Sequence, residues 1–199
     1  MTASAHGRKS GHDIDPMFLD RWSPRAFTDE SIPKDVLMSV LEAAHWAPSA
    51  FNLQPWRFVY ARRDGPGWDV LLGLLIPYNQ AWADRAAALI FVVSQRQRRR
   101  SDGSVEPIYS HSFDAGAAWG YLALQTHCLG WAAHGMTGFD HELCYEALGV
   151  PRDEYRVEAA IAIGRQADKA VLPESYQARE TPSHREPVAG LVFEGRFQA

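Results

Sequence analysis

The run Leu89-Ile90-Phe91-Val92-Val93 is the feature that most constrains how this chain can fold. It is short enough for a strand, and its lack of apolar–polar alternation predicts burial on both faces. A strand buried twice needs a covering layer on each side of its sheet. Helical patterns are plentiful. Pro33 suits a first-turn position, with Val36, Leu37, Val40, Leu41 and Ala44 as the apolar stripe behind it and Pro48 as the stop. Residues 68–75 read as a short helix interrupted by Pro77. Residues 113–129 read as a long one closed by Gly130, whose small residues Ala115, Gly116, Ala117, Ala118 and Gly120 permit close helix approach. A further short helix is expected over residues 140–148, capped by Asp140 and ended by Gly149-Val150-Pro151. Strands are predicted over residues 56–60 and 156–164, with a turn at Arg63-Asp64-Gly65-Pro66-Gly67. Strands alternating with helices indicate an α/β sandwich around a central sheet, formed by one domain over residues 16–199. Residues 165–199 read as loop, with Leu191-Val192-Phe193 a candidate last strand. So long an irregular tail suits wrapping around a partner subunit better than a compact monomer.

With 199 residues and 46% hydrophobic content the chain can bury a substantial core. A net charge of −4 argues against general binding to nucleic acid or acidic membranes. The basic cluster Arg96, Arg98, Arg99 and Arg100 reads as a solvated loop. Cys128 and Cys144 form neither a Cys-x-x-Cys nor a metal-ligand set, and are expected to be buried free thiols in a reducing compartment. No apolar run approaches the length of a membrane span, and residues 1–15 are polar and lack the apolar core of a secretion signal. That segment is expected to be disordered, and the cytoplasm is the expected location.

Chemistry concentrates in two segments. In Arg21-Trp22-Ser23-Pro24-Arg25-Ala26-Phe27, an extended backbone would send Arg21, Ser23 and Arg25 to one side and Trp22 and Pro24 to the other. Two guanidiniums and a hydroxyl on one side form a grip for an anion such as phosphate. About one helix later, Ala47-Pro48-Ser49-Ala50-Phe51-Asn52-Leu53-Gln54-Pro55-Trp56 places Ser49, Asn52 and Gln54 among apolar residues, which suits a planar ligand with polar edges. No Gly-x-Gly-x-x-Gly, Walker loop, His-Glu-x-x-His or Gly-x-Ser-x-Gly occurs. The eight His residues are scattered; His111 and His134 lie near these segments and read as structural.

Together, in this order and spacing, the two motifs resemble the nitroreductase family of FMN-dependent oxidoreductases, over roughly residues 17–197. The resemblance implies a nitroreductase-like α+β fold: a central mixed sheet flanked by helices, in an intertwined homodimer whose C-terminal extension covers the other protomer. It implies FMN as cofactor and NADPH or NADH as electron donor. Arg21 and Ser23 match phosphate-binding positions, Trp22 lies along the ribityl chain, and Arg25 matches the basic residue at the flavin N1–O2 edge, where a cation favours reduction. Pro48, Ser49, Asn52 and Gln54 match the loop that reaches the flavin from the other subunit. Asn79 matches the residue at the pyrimidine edge. Within Gly135-Met136-Thr137-Gly138, backbone N–H groups near Thr137 and Gly138 match donors to N5 and O4. Arg185 matches the phosphate-site Arg of a C-terminal Lys-x-Arg pair, with Ser183 in place of the Lys and Arg165 a second candidate. Trp82 stands where many relatives carry a Lys. The implied reaction is ping-pong hydride transfer from NAD(P)H through flavin N5 to a nitroaromatic, quinone or free flavin, with no acid–base residue. Dehalogenation or flavin breakdown on the same scaffold, or a non-catalytic flavin-binding dimer, stand as alternatives.

Overall fold

The computed structural model describes residues 6–198, and the helices and strands named here lie within them. In chain order they are α1 (Met17–Asp20), α2 (Lys34–His45), β1 (Trp56–Arg62), α3 (Trp68–Gly73), α4 (Pro77–Ala83), β2 (Ala88–Gln95), β3 (Gln97–Arg99), β4 (Val105–Pro107), α5 (His111–Cys128), β5 (Ala132–Met136), α6 (Leu143–Ala147), β6 (Tyr155–Gly164) and α7 (Glu174–Gln177). β1, β2, β6 and β5 form the main sheet in that order. Its three pairings are all antiparallel, so within one described chain no parallel strand makes the sheet mixed.

The apolar run behaves as its composition demands. Leu89, Phe91 and Val93 of β2 pack into one core with Phe27, Leu71, Trp82 and Ala160. Ala88, Ile90 and Val92 pack into a second core with Leu37, Val40, Ala118 and Leu122 from α2 and α5. The sheet therefore lies between two helical layers. Leu37, Val40 and Ala44 of the expected α2 stripe are buried, and Pro77 opens α4 instead of merely interrupting α3.

Four sequence expectations need correction. The Arg96–Arg100 stretch is no plain loop: β3 and β4 form a hairpin in which Arg98 faces Glu106. Arg98 and Arg100 both pair with Glu106, whose carboxyl is held below its usual range by hydrogen bonds from Arg100 and then Arg98. Opposite charges across a ladder stabilise such a pair. Residues 132–136, for which the sequence predicts no strand, form strand β5, because pairing with β6 overrides the weak strand preference of Ala, His and Gly. Leu191-Val192-Phe193 is not a strand, and Leu191 and Val192 are exposed. Cys144 is buried as expected, with its thiol pushed up to about 11 chiefly by burial. Cys128 is exposed, since it lies on the outward face of α5.

Residues 1–5, part of the segment expected to be disordered, lie outside the described residues. Beyond them, Arg8 Nη1 donates to the carbonyls of Leu19 and Arg21, each at 3.0 Å. The tail divides in two. Its first part packs on its own chain: Thr28 N–H donates to Arg165 O, Ala167 N–H to Ala26 O, and Tyr176 Oη to Tyr78 O at 2.9 Å. Residues 183–191 are exposed.

Candidate functional site

Residues 21–27 leave α1 in an extended course that ends where Phe27 bridges Gln166. Arg21, Ser23 and Arg25 line one cavity of about 260 Å³, as their alternation predicts, and Pro24 is buried away from it. Trp22 lines the cavity as well, which corrects the strict alternation that placed it with Pro24 on the other side, and its Nε1 is buried without a hydrogen-bond partner. The C-terminal segment closes the cavity with Arg179, Thr181, Ser183 and Arg185, and Arg8 enters from the N-terminal side.

Five guanidiniums thus face one space, and no carboxylate lines it among the described residues. Arg21 is held below its ordinary pKa by burial, then by the charges of Arg185 and Arg8. Arg8 is lowered by burial and by Arg185, with Asp20 opposing. Cations crowded this closely suit a ligand group carrying more than one negative charge. His134 lines the same cavity, donates through Nδ1 to Pro24 O at 3.0 Å, and lies 4.8 Å from the Trp82 ring, centroid to centroid. Burial pushes its pKa down to about 4, against the Pro24 hydrogen bond and with Arg25 adding to the fall. A neutral imidazole here adds no further charge to the cluster.

Arg8, His134 and Arg179 had not been singled out as site residues. A lone Arg before Glu180-Thr181, and Arg8 in a polar N-terminal stretch, carry no local signal of a site. Trp82, a candidate pocket residue, is fully buried core. Arg165 bonds Gly130 O and Glu30 and lies over the Trp131 ring, away from the cavity, whereas Arg185 lines it.

A wider groove of about 590 Å³ shares Arg21 and Ser23 with the cavity. Trp119 and Ala123 of α5 form one wall, and Gly135, Met136 and Thr137 another. The turn after β5 is packed from behind. A Cβ at Gly138 would lie 2.7 Å from Asn79 Nδ2 and 2.8 Å from Ile76 Cδ1. Asn79 Nδ2 donates to Gly138 O at 2.9 Å, so Asn79 braces the turn and lines neither the cavity nor the groove.

Pro48, Ser49, Asn52 and Gln54 are elsewhere. Ala50 N–H reaches Asp114 Oδ2 at 3.3 Å, which fixes their loop at the N-terminal end of α5. At 1.5 Å rise per residue, Asp114 lies roughly 13 Å along the helix from Ala123 in the groove. Phe51, Asn52 and Gln54 have φ of 50°, 55° and 48°, the left-handed region that side chains resist. Ser49 Oγ accepts Gln54 N–H and Gln54 Nε2 donates to Asn52 O, so the strained loop is internally braced. Phe51 is 94% exposed.

An anion-binding α/β sandwich is the class that this fold and cavity define. The profile of the nitroreductase family matches residues 19–67 and 70–165. The chain belongs to the nitroreductase family. It is similar, at 49% identity and TM-score 0.96, to a solved oxidoreductase described as containing FMN, over 100% of this chain and 99% of that one. A nitroreductase-type protein of Desulfovibrio desulfuricans solved in complex with FMN is 27% identical with TM-score 0.72, over 94% of this chain and 100% of the other. The NADH dehydrogenase of Thermus thermophilus is 29% identical over 88% of this chain and 92% of its own length.

Proposed function

We propose that this chain is an FMN-dependent NAD(P)H oxidoreductase that works as a homodimer on a small acceptor: a nitroaromatic, a quinone or free flavin. The observation that carries this reading is the carboxylate-free arginine cavity opening onto the groove under Gly135, Met136 and Thr137. A dianionic phosphate fits the cavity and a planar ring system fits the groove, and Trp22 of the cavity carries an unsatisfied buried donor, Nε1. The FMN named for two similar structures supports the same cofactor here.

FMN, when bound, supplies a ring that accepts hydride from NAD(P)H and returns it to an acceptor, in ping-pong order. The chain's task is to bind, orient and polarise. Arg21, Ser23 and Arg185 would hold the phosphate, with Arg8 and Arg179 deepening the positive potential. Arg25 lines the cavity and not the groove, and its role as the cation at the ring edge is supported by its place in the family motif. Trp119 would wall the groove, and the Thr137–Gly138 backbone would offer N–H groups. No side chain is required as acid or base.

The homodimer accounts for the separated loop. Along α5, Phe113 and Tyr121 are exposed at 82% and 44%, and Gly116 lies exposed between them. An apolar stripe of this kind on the outer face of a helical layer suits burial by a second copy. Two α5 helices packed in opposite directions would carry Pro48, Ser49, Asn52 and Gln54 of each chain toward the groove of the other. The exposed end of the tail would then lie over the partner. The test is an absorbance titration with FMN followed by anaerobic NADH and NADPH. Bound flavin that bleaches with either nucleotide is expected; failure to bind FMN, or bound flavin that neither nucleotide bleaches, ends the oxidoreductase reading. An active, FMN-loaded monomer in light scattering would end the shared site.

A further inference from the structure

The C-terminal segment brings one acid to this arginine-rich site, and it comes from behind. Glu180 lies between Arg179 and Thr181, both cavity residues, yet its own side chain is only 3% exposed. Its Oε1 accepts the backbone N–H groups of Arg25 at 2.7 Å and Ala26 at 2.8 Å. Its Oε2 stands 3.8 Å from Arg25 Nη1, close enough to act by charge and too far for a hydrogen bond. Oε2 has no hydrogen-bond partner, and neither has Arg25 Nε. A structural ion pair would close that gap with a forked contact. Here the carboxylate holds the backbone and leaves the guanidinium donors unspent.

We propose that Glu180 is a positioning residue with an electrostatic role: it fixes the Arg25 backbone through Oε1 and, through its charge, sets how strongly Arg25 favours the reduced flavin. This rests on the FMN reading above. Arg25 alone would present a full positive charge, in a cavity already rich in cations, to a ring that gains negative character on reduction. A carboxylate behind it offsets part of that field and lowers the potential of the bound cofactor.

The experiment measures FMN affinity by fluorescence titration and the midpoint potential of bound FMN by anaerobic dye equilibration, in the full chain and in E180Q. The amide keeps an oxygen for the two N–H donors and removes the charge. Expected is a more positive potential, equivalent to roughly tenfold stronger preference for the reduced form, about 30 mV for a two-electron couple, with affinity for oxidised FMN within about twofold. An unchanged or more negative potential overturns the proposal. E180D covers the case in which E180Q fails to fold: charge retained on a shorter arm should weaken FMN binding and leave the potential near that of the unsubstituted chain. A positive shift in E180D of the size expected for E180Q overturns the proposal too. Absence of FMN binding in the unsubstituted chain is read separately in the same titration, and would remove both this inference and the cofactor assignment beneath it.

Discussion

Two surfaces served by the same helix α5 are built on opposite plans. The arginine cavity and its groove draw on residues 8, 21–25, 134 and 179–185, with α5 as a wall, and their chemistry lies in side chains on backbone without positive φ. The loop at the N-terminal end of α5 is a single local stretch, and its character lies in the backbone, where three non-glycine residues within four adopt positive φ. Bracing differs accordingly. The cavity is tied by long-range contacts, Arg8 to Leu19 and Arg21, His134 to Pro24, and Glu180 to Arg25 and Ala26. The loop is tied within itself by Ser49 and Gln54, and to the helix by Asp114. Concentrating like charge requires distant segments to converge; displaying a strained turn requires only a firm local frame.

The largest expected effect breaks the cavity alone. Arg21→Ala removes a half-buried guanidinium between Arg8 and Arg185, and should weaken FMN binding by about 10- to 100-fold, from roughly 1.5–3 kcal/mol per charged hydrogen bond. Fluorescence titration reads it. Affinity within twofold of the unsubstituted protein would mean that the cavity does not hold the phosphate.

His134 gives that region a pH dependence. Burial pushes its pKa down to about 4 in the folded chain, against an ordinary value of 6.5. Between those values the unfolded chain holds the proton and the folded chain does not, so stability falls as pH drops from about 6.5 to about 4. The full loss is on the order of 3 kcal/mol, of which about 2 kcal/mol accrues by pH 5. Urea unfolding at pH 7 and pH 5 should show this component in the native chain and not in His134→Gln. Equal pH slopes in the two proteins would sink the assignment.

The same contrast explains what could be read in advance. Alternation made Arg21, Ser23 and Arg25 legible, because extended backbone sorts neighbours by parity, but it misplaced Trp22, which lines the same cavity. The double-faced burial of β2 was legible from composition alone. Convergence was not: nothing local to Arg8 or Arg179 says that they meet Arg21, and nothing in Ala132-Ala133-His134 resembles a strand until β6 pairs with it. The family motif pointed to Arg185, which periodicity could not have found. Asn79 shows what that route leaves out. Its position matches a ring-contacting residue, yet its amide nitrogen is engaged by Gly138 O behind the turn. Positive φ at Phe51 was invisible, because Phe is among the residues least expected there.

Gly138→Ala tests whether the turn beside the groove is as tightly backed as the cavity is tightly tied. Its Cβ would meet Asn79 Nδ2 and Ile76 Cδ1 at 2.7 and 2.8 Å, so a loss of about 1–3 kcal/mol is expected in urea unfolding. A neutral result would mean that Ile76 and Asn79 yield freely, and that the turn is shaped by something other than close packing.

The smallest effect is the sharpest test of the comparison, because it should have the opposite sign. Phe51 is 94% exposed at φ 50°, so its ring contributes little to the folded single chain while its backbone costs about 1–2 kcal/mol. Glycine removes that cost and adds about 0.5–1 kcal/mol of unfolded-state entropy. Phe51→Gly should therefore stabilise the chain by up to about 1 kcal/mol, raising Tm by roughly 2–4 °C for a chain of this size. Phosphate anchoring lies at the other surface, so FMN affinity should stay within twofold. A higher Tm with intact FMN binding and slower turnover would mean that the strain is retained for what the loop presents to the groove of a second copy. A lower Tm would mean that Phe51 is packed against such a copy, and concentration-dependent unfolding would separate that burial from any stabilising role within one chain.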